Sequence, residues 1–134
     1  MTECIFCNIV AGKIPNYTVY EDSHSLAFLD VFPHAKGHTV VIPKIHAESF
    51  FDINEELVKD FFLAVRKAMD RIDHVLHPDG YNVGWNDQPT AGQAVPHLHV
   101  HIFPRWEDDG GKSMHAIVNN PGDISVPDVA KIFS

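Results

Sequence analysis

The chain has 134 residues, 45% of them hydrophobic, and a formal net charge of −8 at pH 7. That length fits one domain with an ordinary core. No apolar run approaches the eighteen or so residues of a membrane span, and the acidity argues against a long nucleic acid as partner. The N-terminus lacks a basic-then-apolar leader pattern, so the expected location is the cytoplasm.

In chain order, Phe6 to Ala11 reads as a short helix closed by Gly12. Thr18 to Glu21 is extended. Ser25 to Asp30 alternates Leu26, Phe28 and Asp30 against Ala27 and Leu29, which is a strand pattern. Phe32 to Gly37 is a loop rich in turn formers. Thr39 to Ile42 is an apolar, largely β-branched strand ending at Pro43. A long helix follows, with Asp52 and Glu55 as a capping-box-like start. Its apolar stripe runs from Leu57 and Val58 through Phe61, Val65, Ala68 and Ile72 to Leu76, and His77-Pro78-Asp79-Gly80 ends it. Its aromatic residues read as core. His74 and His77 fall in the last turn, where a cation suits the helix dipole, and carry no catalytic role. Tyr81 to Asn86 is the next strand, and Asp87 to Val95 is a glycine-containing loop.

Beyond Pro104 the character changes. Glu107 to Gly111 is acidic and flexible, and Val126 to Phe133 forms a terminal turn of helix. There is no repeat and no second domain. The expectation is one domain over residues 1–134, with a core over about 4–106 and a tail over 107–134. The element order fits an α+β fold with an antiparallel sheet covered on one face.

The most informative run is Pro96-His97-Leu98-His99-Val100-His101-Ile102-Phe103. On a strand, His97, His99 and His101 share one face while Leu98, Val100 and Ile102 share the other, with neighbouring imidazoles roughly 6.5–7 Å apart. Three side chains that titrate near neutrality then line one surface. An exposed polar face and a row of metal ligands are the competing readings. A catalytic metal site calls for an open water position and often a carboxylate, and the flanks Gln93–Pro96 and Phe103–Pro104 supply none. Direct imidazole chemistry is the favoured reading. The two cysteines, Cys4 and Cys7, cannot make a disulfide framework. Without a thioredoxin-like βαβ pattern around them, metal binding is favoured over redox chemistry.

The alternating run resembles the signature of the histidine-triad (HIT) nucleotide-binding proteins. Ile5 to Val10 with Ile14-Pro15, Ala27 to Asp30, Gly37 to Lys44 and Gly92-Gln93 resemble other segments of that family, in the right order. The similarity is to the small bacterial-type HIT hydrolases with an N-terminal cysteine pair. It implies a HIT fold with a five-stranded antiparallel sheet, one long and one short helix, and a two-fold homodimer.

The resemblance also implies roles. His99 is the expected nucleophile toward an α-phosphate, forming a nucleotidyl-imidazole that water hydrolyses. His101 contacts the phosphate or leaving atom, and His97 orients the site. His46 is expected behind the triad. Asp30 accepts from ribose hydroxyls, and Asn86, Gln93 and backbone N–H groups near Val95 cradle phosphate. Phe6, Ile9, Phe28 and Val31 wall a base pocket. One structural zinc is expected on Cys4, Cys7, His46 and His97, with no catalytic metal required. Ala94 stands where related branches often carry Ser or Thr, which removes a hydroxyl from the site. Lys36, Lys44 and Arg105 are candidate polyphosphate contacts, with surface solvation as the competing role. The expected ligand is a purine nucleotide or nucleotide conjugate. Three functions compete: hydrolysis of nucleoside phosphoramidates, acyl-adenylates or dinucleoside polyphosphates; nucleotide binding with vestigial catalysis; and a zinc-stabilised interaction module.

Overall fold

The computed structural model describes residues 3–134, so the first two positions of the expected domain lie outside the described residues. Helix α1 spans Ile5–Val10, and three strands follow: β1 Thr18–Glu21, β2 Ser25–Leu29 and β3 Thr39–Pro43. Helix α2 spans Glu55–Leu76, β4 spans Gly80–Gly84, β5 spans Val100–Arg105 and α3 spans Val126–Ile132. The five strands form one antiparallel sheet in the order β1-β2-β3-β5-β4. Among the described residues, no helix is long and apolar enough to cross a membrane.

The sheet is covered on both faces, unevenly, rather than on one. Alternation along the strands sends Ala27, Val41, Val100 and Ile102 to one face, where Phe61, Ala64, Val65, Ala68 and Ile72 of α2 pack on them. Leu26, Phe28, Val40 and Ile42 point to the other face, where α1 supplies Ile9 with Phe6 and Val10. α1 covers only part of this second face. The remainder, over β3, β5 and β4, is where His101, Phe103 and Asn82 emerge; Val40 pairs with His101, and Asn82 with Phe103.

Two helix starts differ from expectation. Asn54 caps α2, its side chain accepting from the Leu57 N–H at 2.8 Å. Asp52 belongs instead to a capping box with Ser49 on the preceding 3₁₀ turn, Phe50–Asp52. An Asn one residue before the first helical position outcompetes the Asp52–Glu55 pairing because its side chain meets an orphan N–H directly. β4 also stops at Gly84, so Trp85 and Asn86 lie past the strand, and α1 runs from Ile5 rather than Phe6.

Candidate active site

The histidine run is strand only in part. β5 begins at Val100, and Leu98 donates its N–H to the Ala47 carbonyl rather than to a ladder partner. The backbone therefore turns before the ladder starts. The rings of His99 and His101 lie 5.0 Å apart, closer than a regular strand would hold them. His97 is turned toward α1, where its ring approaches His46 at 5.2 Å.

Backbone contacts fix which nitrogen of each ring carries its proton. A carbonyl only accepts, so the nitrogen facing it is protonated. His99 Nδ1 faces the His97 carbonyl at 2.7 Å, which leaves Nε2 of neutral His99 as a free lone pair. His97 Nε2 faces the Pro43 carbonyl at 2.9 Å, which leaves its Nδ1 as the lone pair. His38 works in the opposite sense. Its Nδ1 accepts from the His34 N–H at 3.2 Å, so its proton sits on Nε2, which donates to His101 Nδ1 at 2.9 Å. Neutral His101 then keeps its own proton on Nε2. Burial, followed by the neighbouring His99 and His38, pushes His101 down to about 4. Burial likewise lowers His38. Both are neutral at pH 7.

His101 and His38 open on a cavity of about 620 Å³, lined also by Asp30 and Asn86. One oxygen of Asp30 accepts from the Phe32 N–H at 2.8 Å, and the other lies 3.6 Å from His38 Nε2. His99 is nearly buried, with Phe6 edge-on to it at 5.1 Å. Phe6 also meets Phe28 and His97 edge-on. Ile9 and Phe28 are core residues, whereas Val31 is exposed.

Several candidates are occupied elsewhere. Gln93 donates to the Glu48 and Val95 carbonyls at 2.7 and 3.1 Å and accepts from the Gln88 N–H at 2.8 Å. It braces the loop instead of offering its amide to a ligand. The Val95 carbonyl accepts from the His97 N–H, a contact that does not involve the Val95 N–H expected near phosphate. Of the three polyphosphate candidates, Lys44 pairs with Glu21 at 2.7 Å, Lys36 lies over Trp106, and Arg105 grips Asp109 at 2.7 Å.

Cys4, Cys7, His46 and His97 converge, with all four potential ligand atoms within 4.8 Å of one another. His97 Nδ1 lies 3.4 Å from Cys4 Sγ and 3.6 Å from Cys7 Sγ, and His46 Nδ1 lies 3.3 Å from Cys7 Sγ. A tetrahedral zinc with Zn–S near 2.3 Å and Zn–N near 2.0–2.1 Å would place S and N about 3.6 Å apart. The free lone pair of His97 is the one aimed at the sulfurs, so the donor set fits zinc. Burial and the Cys4 sulfur raise the Cys7 thiol, an unfavourable pairing that a cation relieves. Asp30, His38 and His101 also cluster, but there the His38 nitrogen facing the group holds the proton. Coordination would require an imidazolate or loss of the His34 contact, so this group does not suit a metal.

His38 and Asp87 are the site residues that sequence reasoning missed. His38 follows a turn and precedes an apolar strand, and the cross-strand pairing that brings it to His101 is not local. Asp87 accepts from Ser49 Oγ, the Phe50 N–H and Trp85 Nε1 at 2.9–3.1 Å. It thereby ties the loop after Asn86 to the turn before α2.

The profile of the HIT domain matches residues 11–108. The chain belongs to the HIT family. This HIT chain is 48% identical over 108 residues to Protein hit of Bacillus subtilis, covering 81% of this chain and 74% of that one. It is 41% identical over 108 residues to an adenosine 5'-monophosphoramidase of Schizosaccharomyces pombe, covering 81% and 78%. A crystal structure of a HIT family member from Bacillus subtilis superposes with a TM-score of 0.85 at 42% identity, over 98% of this chain and 93% of that one. The HIT span contains Asp30, His38, His46 and the triad. Cys4, Cys7 and the chain beyond 108 lie outside it.

Proposed function

We propose that this HIT protein is a nucleotidyl hydrolase that cleaves at the α-phosphate of a nucleoside 5'-phosphoramidate or related nucleotide conjugate through a nucleotidyl-His99 intermediate. The observation that carries the reading is the proton arrangement: the carbonyl of His97 leaves His99 Nε2 unprotonated, and His38 leaves His101 with a donor at Nε2. A nucleophile and a phosphate-oxygen donor then stand side by side.

His99 Nε2 forms a bond to phosphorus as the bond to the leaving nitrogen or oxygen breaks. The electron pair goes to the leaving atom, which takes a proton from solvent, because neutral His101 has none to spare. Water then attacks phosphorus and frees His99 and the mononucleotide. Asp30 accepts from the ribose hydroxyls, Asn86 donates to phosphate, and Phe6, Ile9, Phe28 and Val31 flank the base. Gln93 and Asp87 hold the loop, and the Val95 segment follows from them. Purine nucleotides suit an apolar, weakly discriminating base site. The phosphoramidase name of the fission yeast relative supports the substrate class.

Zinc on Cys4, Cys7, His46 and His97 would serve a structural role. It would supply a closed shell that ties α1 to the triad segment, leaving His99 and His101 outside it. A two-fold homodimer is part of the same reading, supported by β4 at an open sheet edge and by exposed Phe62, Leu63 and Val75 on α2. Sedimentation tests it.

Turnover of adenosine 5'-phosphoramidate, together with a quenched-flow mass spectrum showing a nucleotide adduct on wild type, tests the function. His99→Ala should abolish turnover and adduct while AMP still binds. Tight AMP binding with no turnover by wild type would favour a regulatory nucleotide-binding role instead.

A further inference from the structure

Asn86 stands past the end of the sheet. β4 stops at Gly84, whose ladder partner is His101, so no rung holds the chain two residues further on. Asn86 is exposed there and lines the same cavity as Asp30 and His101. A group that must meet a reacting phosphate needs a fixed backbone, because a misplacement of about 1 Å can cost on the order of 10²-fold in rate. The fixing has to come from outside the ladder.

It comes from the two residues that flank Asn86. The Trp85 ring lies 5.0 Å from Phe50 and 6.1 Å from Phe62. Its Nε1 donates to Asp87 Oδ2 at 3.1 Å, so the neighbours of Asn86 are joined side chain to side chain. Asp87 also accepts from Ser49 Oγ at Oδ1 and from the Phe50 N–H at Oδ2, both at 2.9 Å. Ser49 is buried and caps the 3₁₀ turn Phe50–Asp52, so the joint is anchored on the segment that leads into α2. Hydrogen bonds to an ionised carboxylate are among the strong ones. The Phe50 N–H, followed by Ser49 and Trp85, holds the Asp87 carboxyl below the usual carboxylate range. Trp85 and Asn86 line the cavity, whereas Asp87 does not. On its far side the chain enters Gln88 at φ 77° and ψ 154°, a conformation that persists only where the surroundings impose it.

We propose that Asp87 is a positioning residue for nucleotidyl transfer: by clasping Ser49, Phe50 and Trp85 it holds the Asn86 amide where it meets the phosphate during the reaction. The inference rests on the nucleotidyl-transfer reading above and adds to it a residue that acts without touching the substrate. Both Asp87 oxygens are spent on protein donors, so the carboxylate serves the backbone rather than a ligand. Nucleoside binding is assigned to other elements, with Phe6 and Ile9 on α1, Phe28 on β2 and Asp30 just past it. None of these is part of the clasp. Its loss therefore acts on the reacting phosphate more than on the affinity for the nucleoside, and an interaction realised mainly in the transition state is read in kcat rather than in KM.

The test is a double-mutant cycle on the full chain between Asp87→Ala and Asn86→Ala, with adenosine 5'-phosphoramidate as substrate. Asp87→Ala should lower kcat about tenfold or more and change KM and AMP affinity by less than about threefold. Residues that act as one unit are not additive, so the double variant should turn over no more slowly than Asn86→Ala alone. Asp87→Asn, which keeps an acceptor, should recover part of kcat, and it carries the same cycle where the alanine variant does not fold. Trp85→Phe, which keeps a ring and loses the N–H, should show the same split to a smaller degree. Full additivity would overturn the proposal, as would an unchanged kcat or a loss of AMP affinity as large as the loss of kcat. A second readout needs no turnover. In the AMP complex the side-chain amide resonance of Asn86, assigned by its disappearance in Asn86→Ala, should shift or broaden in Asp87→Asn and Trp85→Phe. A resonance unmoved in both variants would overturn the proposal. Absence of wild-type turnover would overturn the nucleotidyl-transfer reading instead, and the amide resonance then decides alone whether Asp87 places Asn86.

Discussion

His38 donates from Nε2 to Nδ1 of His101 across 2.9 Å, and the His34 N–H settles which way that bond runs. Long-range proton–nitrogen NMR at pH 7 should find His101 protonated on Nε2 and His99 on Nδ1. His38→Ala leaves a half-buried acceptor on His101 unpaired, at a cost of about 1–3 kcal/mol, and turnover should fall. His38→Gln, whose amide donates, should recover part of it. A His101 protonated on Nδ1 contradicts the network.

Asp30→Ala should weaken AMP binding at least about tenfold, since charge-assisted hydrogen bonds contribute roughly 1.5–3 kcal/mol each. Asp30→Asn should fall between the two. Isothermal calorimetry on folded variants reads the difference. Unchanged affinity would confine Asp30 to its Phe32 turn contact.

Protein prepared without a metal-affinity tag should carry close to one zinc per chain by elemental analysis. Cys4→Ser with Cys7→Ser should lose it and lower the melting temperature by about 5 °C or more, the scale of a kcal/mol or two in a domain of this size. AMP affinity should fall less than stability does. If the native protein carries no zinc and chelators leave its melting temperature unchanged, the cluster does not bind metal.

Acid should destabilise the fold before its carboxylates titrate. Histidine in an unfolded chain titrates near 6.5, and His101 in the folded protein does so at about 4, held down by burial and by His99 and His38. Between those values the unfolded state holds more protons, so stability is complete above about pH 6.5 and declines as pH falls toward 4. The lowered His38 acts in the same direction. Melting temperatures measured from pH 7.5 to 4.5 should show the decline, and His101→Gln should flatten it. A slope unchanged in that variant would assign the effect elsewhere.

Gln88 sits at φ 77° and ψ 154°, a region that glycine tolerates and other residues enter at a cost of order 1–3 kcal/mol. It stays there because Gln93 Oε1 holds its N–H while its carbonyl accepts from Ala91 and Gln93. Gln88→Gly should stabilise the protein by roughly 1 kcal/mol in urea unfolding, after the greater freedom of glycine in the unfolded chain is subtracted. A loss of stability would mean that the Gln88 side chain contributes more than its backbone costs.

Much of the fold was legible because its signals are periodic. The stripe from Leu57 to Leu76 and the alternation in Ser25–Leu29 and Val100–Phe103 each declare a period and a face. The triad and the Cys4–Cys7 spacing were legible because they are local. What escaped depended on contacts between distant segments. The reach of His38 to His101 follows from the register of β3 on β5. The brace made by Gln93 depends on Glu48 lying across the loop. The early turn at His97 depends on Ala47 capturing the Leu98 N–H, which no period in the sequence encodes.

The three groups that place the protons on His97, His99 and His38 are the Pro43 carbonyl, the His97 carbonyl and the His34 N–H. All are main-chain atoms. A side chain can be exchanged by a single codon change, but a carbonyl is present whatever residue bears it, and an N–H is lost only to proline. The protonation pattern is thus inherited through the path of the chain rather than through the identity of neighbouring residues. Exchanging the cysteines, the tail or the pocket walls leaves these three main-chain contacts, and the proton positions they set, in place.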